Sequence, residues 1–304
     1  MLTLVEQHAL PVITKESPGA EGNMYGFEGG AVVKTGGIYH MTTTEVVGDP
    51  QAVKTKMAHW TSPDRMHWTR VSTLYESSGA CDGKDPRGAL WAPMPIYDDA
   101  GGRWNLFYVA YNCLPNTPIE WRLNYDGQIW RAVSKTKGPA GIGGPYEDAG
   151  VIVRPDAESE SWEGLQGTDS FYPYPVGDTW YGFYGSANTE RVPCEHWRVG
   201  LAKSGSLAGP WKRVPELNPV QLEKVYTENP IVTRATDGTY LAVYDRATVS
   251  DNPTAIGYSV SRDGIHWSKG VGLDLQPNAS GRWANRINTP LGLVPEGNGT
   301  FTLF

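Results

Sequence analysis

The sequence predicts an all-β fold, a five-bladed β-propeller that forms a single domain over residues 1–304. The first observation is a short apolar stretch that recurs five times, every 58 to 78 residues, each time with a characteristic residue at its head. The second observation is that a Gly-containing turn and an aromatic strand follow each of the first four stretches. Repeats of this length are typical of radially arranged sheets. The five heads are Glu28, Trp91, Asp169, Glu228 and Arg286.

The turns after the head strands are alike. K-T-G-G-I-Y, D-A-G-G-R-W, P-V-G-D-T-W and A-T-D-G-T-Y hold equivalent places, and glycine supplies the positive φ of a tight hairpin. A third strand then ends near a serine, and Trp68, Trp211 or Trp267 begins a fourth, outer strand in three of the units. Tryptophans at this repeated outer position are predicted to pack between blades rather than to bind sugar.

The N-terminal stretch L-T-L-V-E-Q-H is expected to close the last blade, because the final unit stops at T-F-T-L-F after about half a blade. Such strand exchange removes an exposed sheet edge. The alternative is that the last strands are missing from this chain.

The composition argues against some classes of binding partner. Charged residues make up only 19%, with 12 Trp and 16 Tyr, and the net charge is -7. No cluster of Lys and Arg is present, which argues against nucleic acid or an anionic membrane as a partner. No apolar run approaches the length of a membrane span. The start shows no signal-peptide pattern, so a cytoplasmic location is expected, although a secreted chain with its leader removed would look the same.

Cysteine and histidine give no sign of a metal site. Cys81, Cys113 and Cys194 lack a C-x-x-C spacing, so neither a zinc site nor a disulfide framework is predicted and the thiols are expected to be buried or free. The histidines lie beside the outer aromatic residues and are predicted to be structural. We expect no essential metal and no cofactor.

Three head residues carry carboxyl groups. If the heads meet at one axis, Glu28, Asp169 and Glu228 become neighbours. Acids crowded at one axis repel each other, so this crowding is expected only where the acids have a function. Cleavage of a glycosidic bond needs a protonated acid on one side of the bond and a carboxylate on the other. The pattern therefore predicts a two-carboxylate hydrolase. The alternative is three unrelated acids at strand starts.

At these heads the chain resembles the five-bladed propeller glycosidases of family 43 and their relatives in families 32, 68, 117 and 130. L-W-A-P-M-P-I-Y-D is similar to the W-A-P-D segment, S-R-D-G-I-H-W to a repeated S-x-D-G-x-x-W hairpin, G-T-D-S-F to the blade-three acid motif and T-E-N-P-I-V to the blade-four E-x-P motif. The similarity covers nearly the whole chain. It implies an inverting hydrolysis.

The resemblance also implies roles for the acids. Glu228 takes the position of the general acid and Asp169 that of the residue that tunes its pKa. Glu28 stands where the family has an aspartate base, which moves the carboxylate by about one methylene, and Met94 replaces the Asp of W-A-P-D. A shift of about 1 Å in a catalytic group can cost a hundredfold in rate.

Six further residues are candidates for substrate binding. Asp85 lies in a K-D-P motif similar to the R-D-P of families 32 and 68, with a plain turn as the alternative. The aromatic candidates are predicted to stack on sugar or to pack in the core. The two arginines would bind a uronate or a phosphate, or else neutralise the acids. The aromatic and arginine candidates are Trp91, Phe171, Tyr172, Arg246 and Arg286.

The first functional hypothesis is an exo-acting glycoside hydrolase that releases a terminal sugar from a plant or algal oligosaccharide. A non-catalytic sugar-binding propeller and a phosphorylase like those of family 130 are the alternatives. The expected partner is an oligosaccharide substrate. The sugar, the linkage and the oligomeric state do not follow from the sequence.

Overall fold

The computed structural model of the chain describes residues 2–247, 255–275 and 289–304. The described residues form an all-β fold and contain one short 3₁₀ helix, at Pro139–Gly143. Two of its sheets are four-stranded antiparallel meanders, in which each strand pairs with the next along the chain. The first contains β1 (Gly26–Thr35), β2 (Ile38–Gly48), β3 (Lys54–Ser62) and β4 (Thr69–Glu76), and the second contains β5 (Ala89–Asp98), β6 (Arg103–Asn112), β7 (Tyr125–Ser134) and β8 (Tyr146–Val153).

The third sheet consists of two further meanders. They are joined by one parallel pair, Trp197 with Tyr226. The last strand of each is only two residues long. The strands are β9 (Asp169–Val176), β10 (Thr179–Ala187), β11 (Trp197–Ser204), β12 (Lys212–Arg213), β13 (Tyr226–Arg234), β14 (Tyr240–Ala247), β15 (Ala255–Ser261) and β16 (Val271–Gly272).

The C-terminal residues form a small sheet that contacts both the first and the fourth meander. It pairs β17 (Leu293–Pro295) with β18 (Phe301–Leu303). Thr233 of β13 donates to the carbonyl of Leu293 at 2.7 Å, and Val32 of β1 donates to Leu291 O at 2.5 Å. The sheet thus lies between the first and last meanders.

The N-terminal stretch has a different position from the one expected. Residues 2–25 form no strand in the described part of the chain, and the amide of Leu2 donates to the hydroxyl of Tyr258 on β15. The stretch therefore contacts the fourth meander without adding a strand to the C-terminal sheet.

The inner strands share one hydrophobic core. The first strand of every meander and β17 each contribute a buried side chain to it. Burial of aliphatic and aromatic side chains is the main favourable term in folding, so this shared core holds the meanders together. The contributing side chains include Ala31, Met94, Phe171, Ile231 and Leu293.

The predicted turns agree with the structure, and so do two of the three outer tryptophans, whereas Trp211 packs on Phe171 of its own meander. Gly36, Gly102, Gly177 and Gly238, one in each turn, all have positive φ. Trp267 packs on Phe183 of the preceding meander at 5.3 Å between ring centroids. The outer tryptophans Trp68 and Trp211 pack on Phe304 and Phe171.

The expectation for the cysteines was wrong. Cys81 and Cys113 form a disulfide. Cys81 lies in the connection before β5 and Cys113 directly follows β6, so the bond joins two segments that become neighbours only after the strands pair. Their spacing of 32 residues matches no short motif, which is why no local pattern predicted the bond.

No helix in the described ranges is long and apolar enough to cross a membrane.

Removing the disulfide is expected to destabilise the chain. Because the bond closes a loop of 32 residues, the Cys81→Ser/Cys113→Ser variant should lose about 4 kcal/mol of unfolding free energy. Urea unfolding followed by tryptophan fluorescence measures this loss, with Cys194→Ser as the control. An unchanged urea midpoint would contradict the assignment.

Candidate active site

Each described head residue lies at an irregularity of its inner strand. The pairing register shifts at Glu28, Trp91 and Glu228, and between Asp169 and Tyr172. The residue after each head has a φ between 49° and 64°, in the left-handed region. A bulge of this kind bends a strand and redirects a side chain. The chain thus repeats a β-bulge at each of these heads, in addition to a pattern of apolar residues.

Gly30 shows how tightly the first bulge is packed. Its φ is +128°, and a Cβ at this position would lie 2.0 Å from the carbonyl oxygen of Thr42. Only glycine fits such a backbone contact. The F-E-G-G motif therefore serves the geometry that places Glu28.

Asp169 begins β9 and is 4% exposed. Burial raises the pKa of its carboxyl group, while hydrogen bonds from the Tyr111 hydroxyl and the backbone amide of Ser170 act against that rise. Gln166 donates to the Tyr111 hydroxyl at 3.1 Å and so fixes its direction. Asp169 is a buried acid with its own set of donors.

Glu228 is half-buried on β13, and the hydroxyl of Tyr226 donates to its carboxyl group. Burial raises its pKa well above the usual value, and the charges of Asp169, Asp245 and Glu28 add to the rise. A carboxyl group in this setting keeps its proton at a pH where an exposed one loses it.

Glu28 is the acid of the set that solvent reaches most easily. Its carboxyl group is nevertheless crowded by protein, and the loss of hydration together with the charges of Asp245 and Asp169 raises its pKa to about 7. A side chain that faces a concave space is reached by solvent and is also crowded by protein. Glu28 is thus open to water and close to the other acids.

Asp245 is a fourth member that the sequence interpretation missed. It is fully buried on β14, directly opposite Glu228 in the strand pair. Asn229 donates to its Oδ2 at 2.9 Å, and the backbone amide of Thr289 donates to its Oδ1. Burial raises its pKa to about 6, and these hydrogen bonds oppose the rise. The sequence contains a pattern that indicates this residue. In V-Y-D-R-A, the strand pairing places the aspartate opposite Glu228, and not Arg246.

The four acids form one electrostatic group. Carboxylates that share a poorly hydrated space cannot all ionise at neutral pH, so the group retains protons. We call Glu28, Asp169, Glu228 and Asp245 the acid set. Within the described residues, no group of three or more His, Cys, Asp or Glu side chains is arranged to hold a metal ion.

The predicted aromatic residues differ in their access to this site. Phe171 is 1% exposed and packs on Phe107 and Trp211, so it belongs to the core and not to a sugar platform. Trp91 and Tyr172 are half-buried and also pack against the core. The indole of Trp91 is fixed by a hydrogen bond to Ala52 O at 3.1 Å.

Two of the other binding candidates, Arg246 and Asp85, are engaged in contacts within the protein. Arg246 forms a bidentate pair with Glu223, at 2.9 and 3.1 Å, so its charge is already neutralised. Asp85 accepts the backbone amide of Arg87 at 2.8 Å, which is the turn alternative. Arg286 lies outside the described residues.

A difference in the pH dependence of stability should follow from Glu28. Its folded pKa of about 7 lies above the ordinary value of 4.5, so the folded state binds the proton more tightly. The resulting stabilisation is complete below about pH 4.5 and is lost as the pH rises to about 7. Relative to Glu28→Gln, the wild type should therefore lose unfolding free energy across this range.

Urea unfolding of both proteins between pH 4 and pH 8 measures this difference. Shared groups that do not interact with Glu28 cancel, including His59, whose pKa burial lowers to about 4. The difference therefore reports Glu28 together with the acids coupled to it. A difference that stays constant with pH would contradict the coupling of Glu28 to the acid set.

Comparison with known proteins gives matches in structure alone. No protein-family model matches the chain, and no curated protein matches it. Among solved structures, it is similar to Zg3597, a family 117 glycoside hydrolase of Zobellia galactanivorans, with a TM-score of 0.59 and 14% identity over 82% of this chain and 69% of that one.

Two further structures show the same likeness. The α-L-arabinanase of Cellvibrio cellulosa, solved as a point mutant, has a TM-score of 0.53 and 15% identity over 90% of this chain and 84% of that one. The exo-β-1,3-galactanase of Phanerochaete chrysosporium, solved with galactose, has a TM-score of 0.51 and 15% identity over 86% of this chain and 53% of that one. The chain therefore has the fold of these glycoside hydrolase structures.

Proposed function

We propose that the chain is a glycoside hydrolase that uses the acid set to cleave a terminal glycosidic bond. This proposal depends on the presence of two acids with different environments in one site. Glu228 has a strongly raised pKa and keeps its proton, and Glu28 is exposed to water. Hydrolysis needs one protonated carboxyl group for the leaving oxygen and one carboxylate for the attack. The fold, shared with glycoside hydrolases, supports the same conclusion.

In this proposal Glu228 is the general acid and donates its proton to the leaving oxygen. Glu28 is the base that takes a proton from the attacking water, and its pKa of about 7 suits a base at neutral pH. Asp169 holds a charge beside Glu228 and keeps it protonated. An inverting reaction then requires about 6.5 to 9.5 Å between the carboxyl groups of Glu28 and Glu228.

The finer architecture is also a proposal. We infer a single five-bladed β-propeller in which the C-terminal sheet belongs to the fifth blade. Four meanders each carry a head followed by a left-handed residue, and Thr289 lies in the same region with a φ of 58°. In this register the fifth head position is residue 288 and not Arg286, the head that the sequence pattern suggested. Thr289 precedes Pro290 as Ala92 precedes Pro93 and Asn229 precedes Pro230. A fifth inner strand after Thr289 is what this repeat supports.

The substrate is proposed to be a plant or algal oligosaccharide from which one terminal sugar is released. Two of the similar structures are an arabinanase and an exo-galactanase, and arabinose and galactose are uncharged sugars. The pairing of Arg246 with Glu223 removes one argument for an anionic substrate. Which sugar is bound depends on the loops around the acid set.

The disulfide bears on location. Bonds of this kind persist in oxidising compartments and are rare in the cytoplasm of most cells. We therefore propose that the protein works outside the cytoplasm, the second of the two locations left open by the sequence. Mass spectrometry after thiol alkylation of the protein from its native cells tests this, since two alkylated residues at Cys81 and Cys113 would contradict it.

Glu228→Gln should lower hydrolysis of a natural oligosaccharide by about 10²- to 10⁴-fold, because the leaving oxygen is no longer protonated. Aryl glycosides whose phenol leaves without a proton should lose much less. A screen of pectic, xylan and agar-derived oligosaccharides identifies the substrate for this measurement.

Glu76→Gln, on the exposed edge of β4, is the matched control. Full activity in Glu228→Gln would reject the assigned role. A wild type that binds sugar without turnover would instead show a non-catalytic binding protein.

A further prediction concerns stereochemistry. Proton NMR of the first-formed product should show the anomer opposite to that of the substrate, because water attacks from the face away from the leaving group. Phosphate should change neither the rate nor the product. An initially retained anomer would reject the inverting mechanism, and a sugar 1-phosphate would show a phosphorylase.

A further inference from the structure

Asp245 is the one acid of the set that the proposed reaction steps do not use. Its side chain is fully buried, so it cannot touch a substrate. It lies on β14 opposite Glu228, where cross-strand neighbours have Cβ atoms about 5 Å apart. A buried carboxyl group so close to the proposed general acid needs a reason, because burial of an ionisable group is unfavourable without compensation.

Both oxygens of Asp245 accept hydrogen bonds from fixed N–H groups. The amide of Asn229 donates to Oδ2 at 2.9 Å, and the backbone of Thr289 donates to Oδ1. A carboxylate accepts on both oxygens, whereas a carboxylic acid must donate with one of them. Two N–H donors therefore favour the ionised form of Asp245.

The direction of the Asn229 amide is set by a residue of another meander. Ser170 donates to Asn229 Oδ1 at 2.8 Å, and this contact is buried. With its oxygen held by a donor, the amide must turn its NH₂ group toward Asp245. Ser170 and Asn229 are the left-handed residues that follow Asp169 and Glu228. The bulges that place these two heads thus also build the donor for Asp245.

We propose that Asp245, oriented through Asn229 and Ser170, is a positioning residue whose fixed negative charge keeps the proton on Glu228 until the leaving oxygen takes it. This inference rests on the proposed function. The charge of Asp245 acts in the expected direction, since it raises the pKa of both Glu228 and Glu28.

The other groups around Glu228 do not replace this charge. Asp169 on β9 and Glu28 on β1 also raise its pKa, and the Tyr226 hydroxyl on β13 lowers it. Arg246, next to Asp245 in the chain, is bound to Glu223. Among the three carboxylate charges, that of Asp169 acts most strongly and that of Asp245 comes next, so Asp245 adds to the effect of Asp169 from a position that is fully buried.

The test compares Asp245→Asn and Asp245→Ser with the wild type. Both variants remove the charge, while Ser leaves a hydroxyl oxygen that accepts a hydrogen bond. In each, the alkaline limb of the kcat/KM profile should move to lower pH by about one unit, as expected for strongly coupled carboxyl groups. At pH values above the alkaline limb of both the variant and the wild type, kcat/KM of the variant should then be about tenfold lower, with little change in KM.

Asp237→Asn, in the turn between β13 and β14, is the matched control and should leave the profile unchanged. A folded Asp245 variant with an unmoved alkaline limb would overturn the proposal. A merely structural role would lower the unfolding midpoint and activity at every pH without moving the limb.

A second readout does not depend on turnover. The side-chain carboxyl ¹³C signal of Glu228, assigned by its loss in Glu228→Gln, reports the pKa directly. It should titrate well above the usual glutamate range in the wild type and about one pH unit lower in the Asp245 variants. If no glycoside is hydrolysed but this shift is found, the proposed function fails and the coupling stands. If both variants fail to fold, an ordinary Glu228 pKa in the wild type would still overturn the proposal, and a raised one would support it.

Discussion

Four carboxyl groups share a poorly hydrated space, and this constraint governs the rest of the site. In water such groups ionise independently, but here burial and mutual repulsion oppose each loss of a proton. The pKa of Glu28 and that of Asp245 rise to about 7 and about 6, and that of Glu228 rises further in the same direction. The site therefore holds a proton where neutral solvent would remove it. A catalyst that protonates a leaving group needs that property.

The backbone creates this crowding through a repeated bulge. Each head is followed by a residue in the left-handed region, and at Ser170 and Asn229 that residue also carries a side chain that organises the acids. One local device thus has two effects. It brings carboxyl groups together and supplies donors that favour the ionised form of Asp245 against the effect of burial.

Much of this arrangement is visible in the sequence because it repeats. The turn glycines, the outer tryptophans and the heads Glu28, Asp169 and Glu228 all recur at matching places, so their grouping could be predicted. Residues whose role depends on a single contact could not. Phe171 was a candidate platform because it lies close to Asp169 in the chain, but it is buried in the core against Phe107 and Trp211. Arg246 was a candidate ligand because of its charge, but the structure pairs it with Glu223.

The sequence by itself determined the all-β class, the repeat and three acids of the set, because periodic strands and turns are encoded locally. Only the tertiary structure decided the position of Asp245 opposite Glu228 and the pairing of Cys81 with Cys113. Both depend on which residues face each other across strands, and that register is fixed by bulges and packing between segments far apart in the chain.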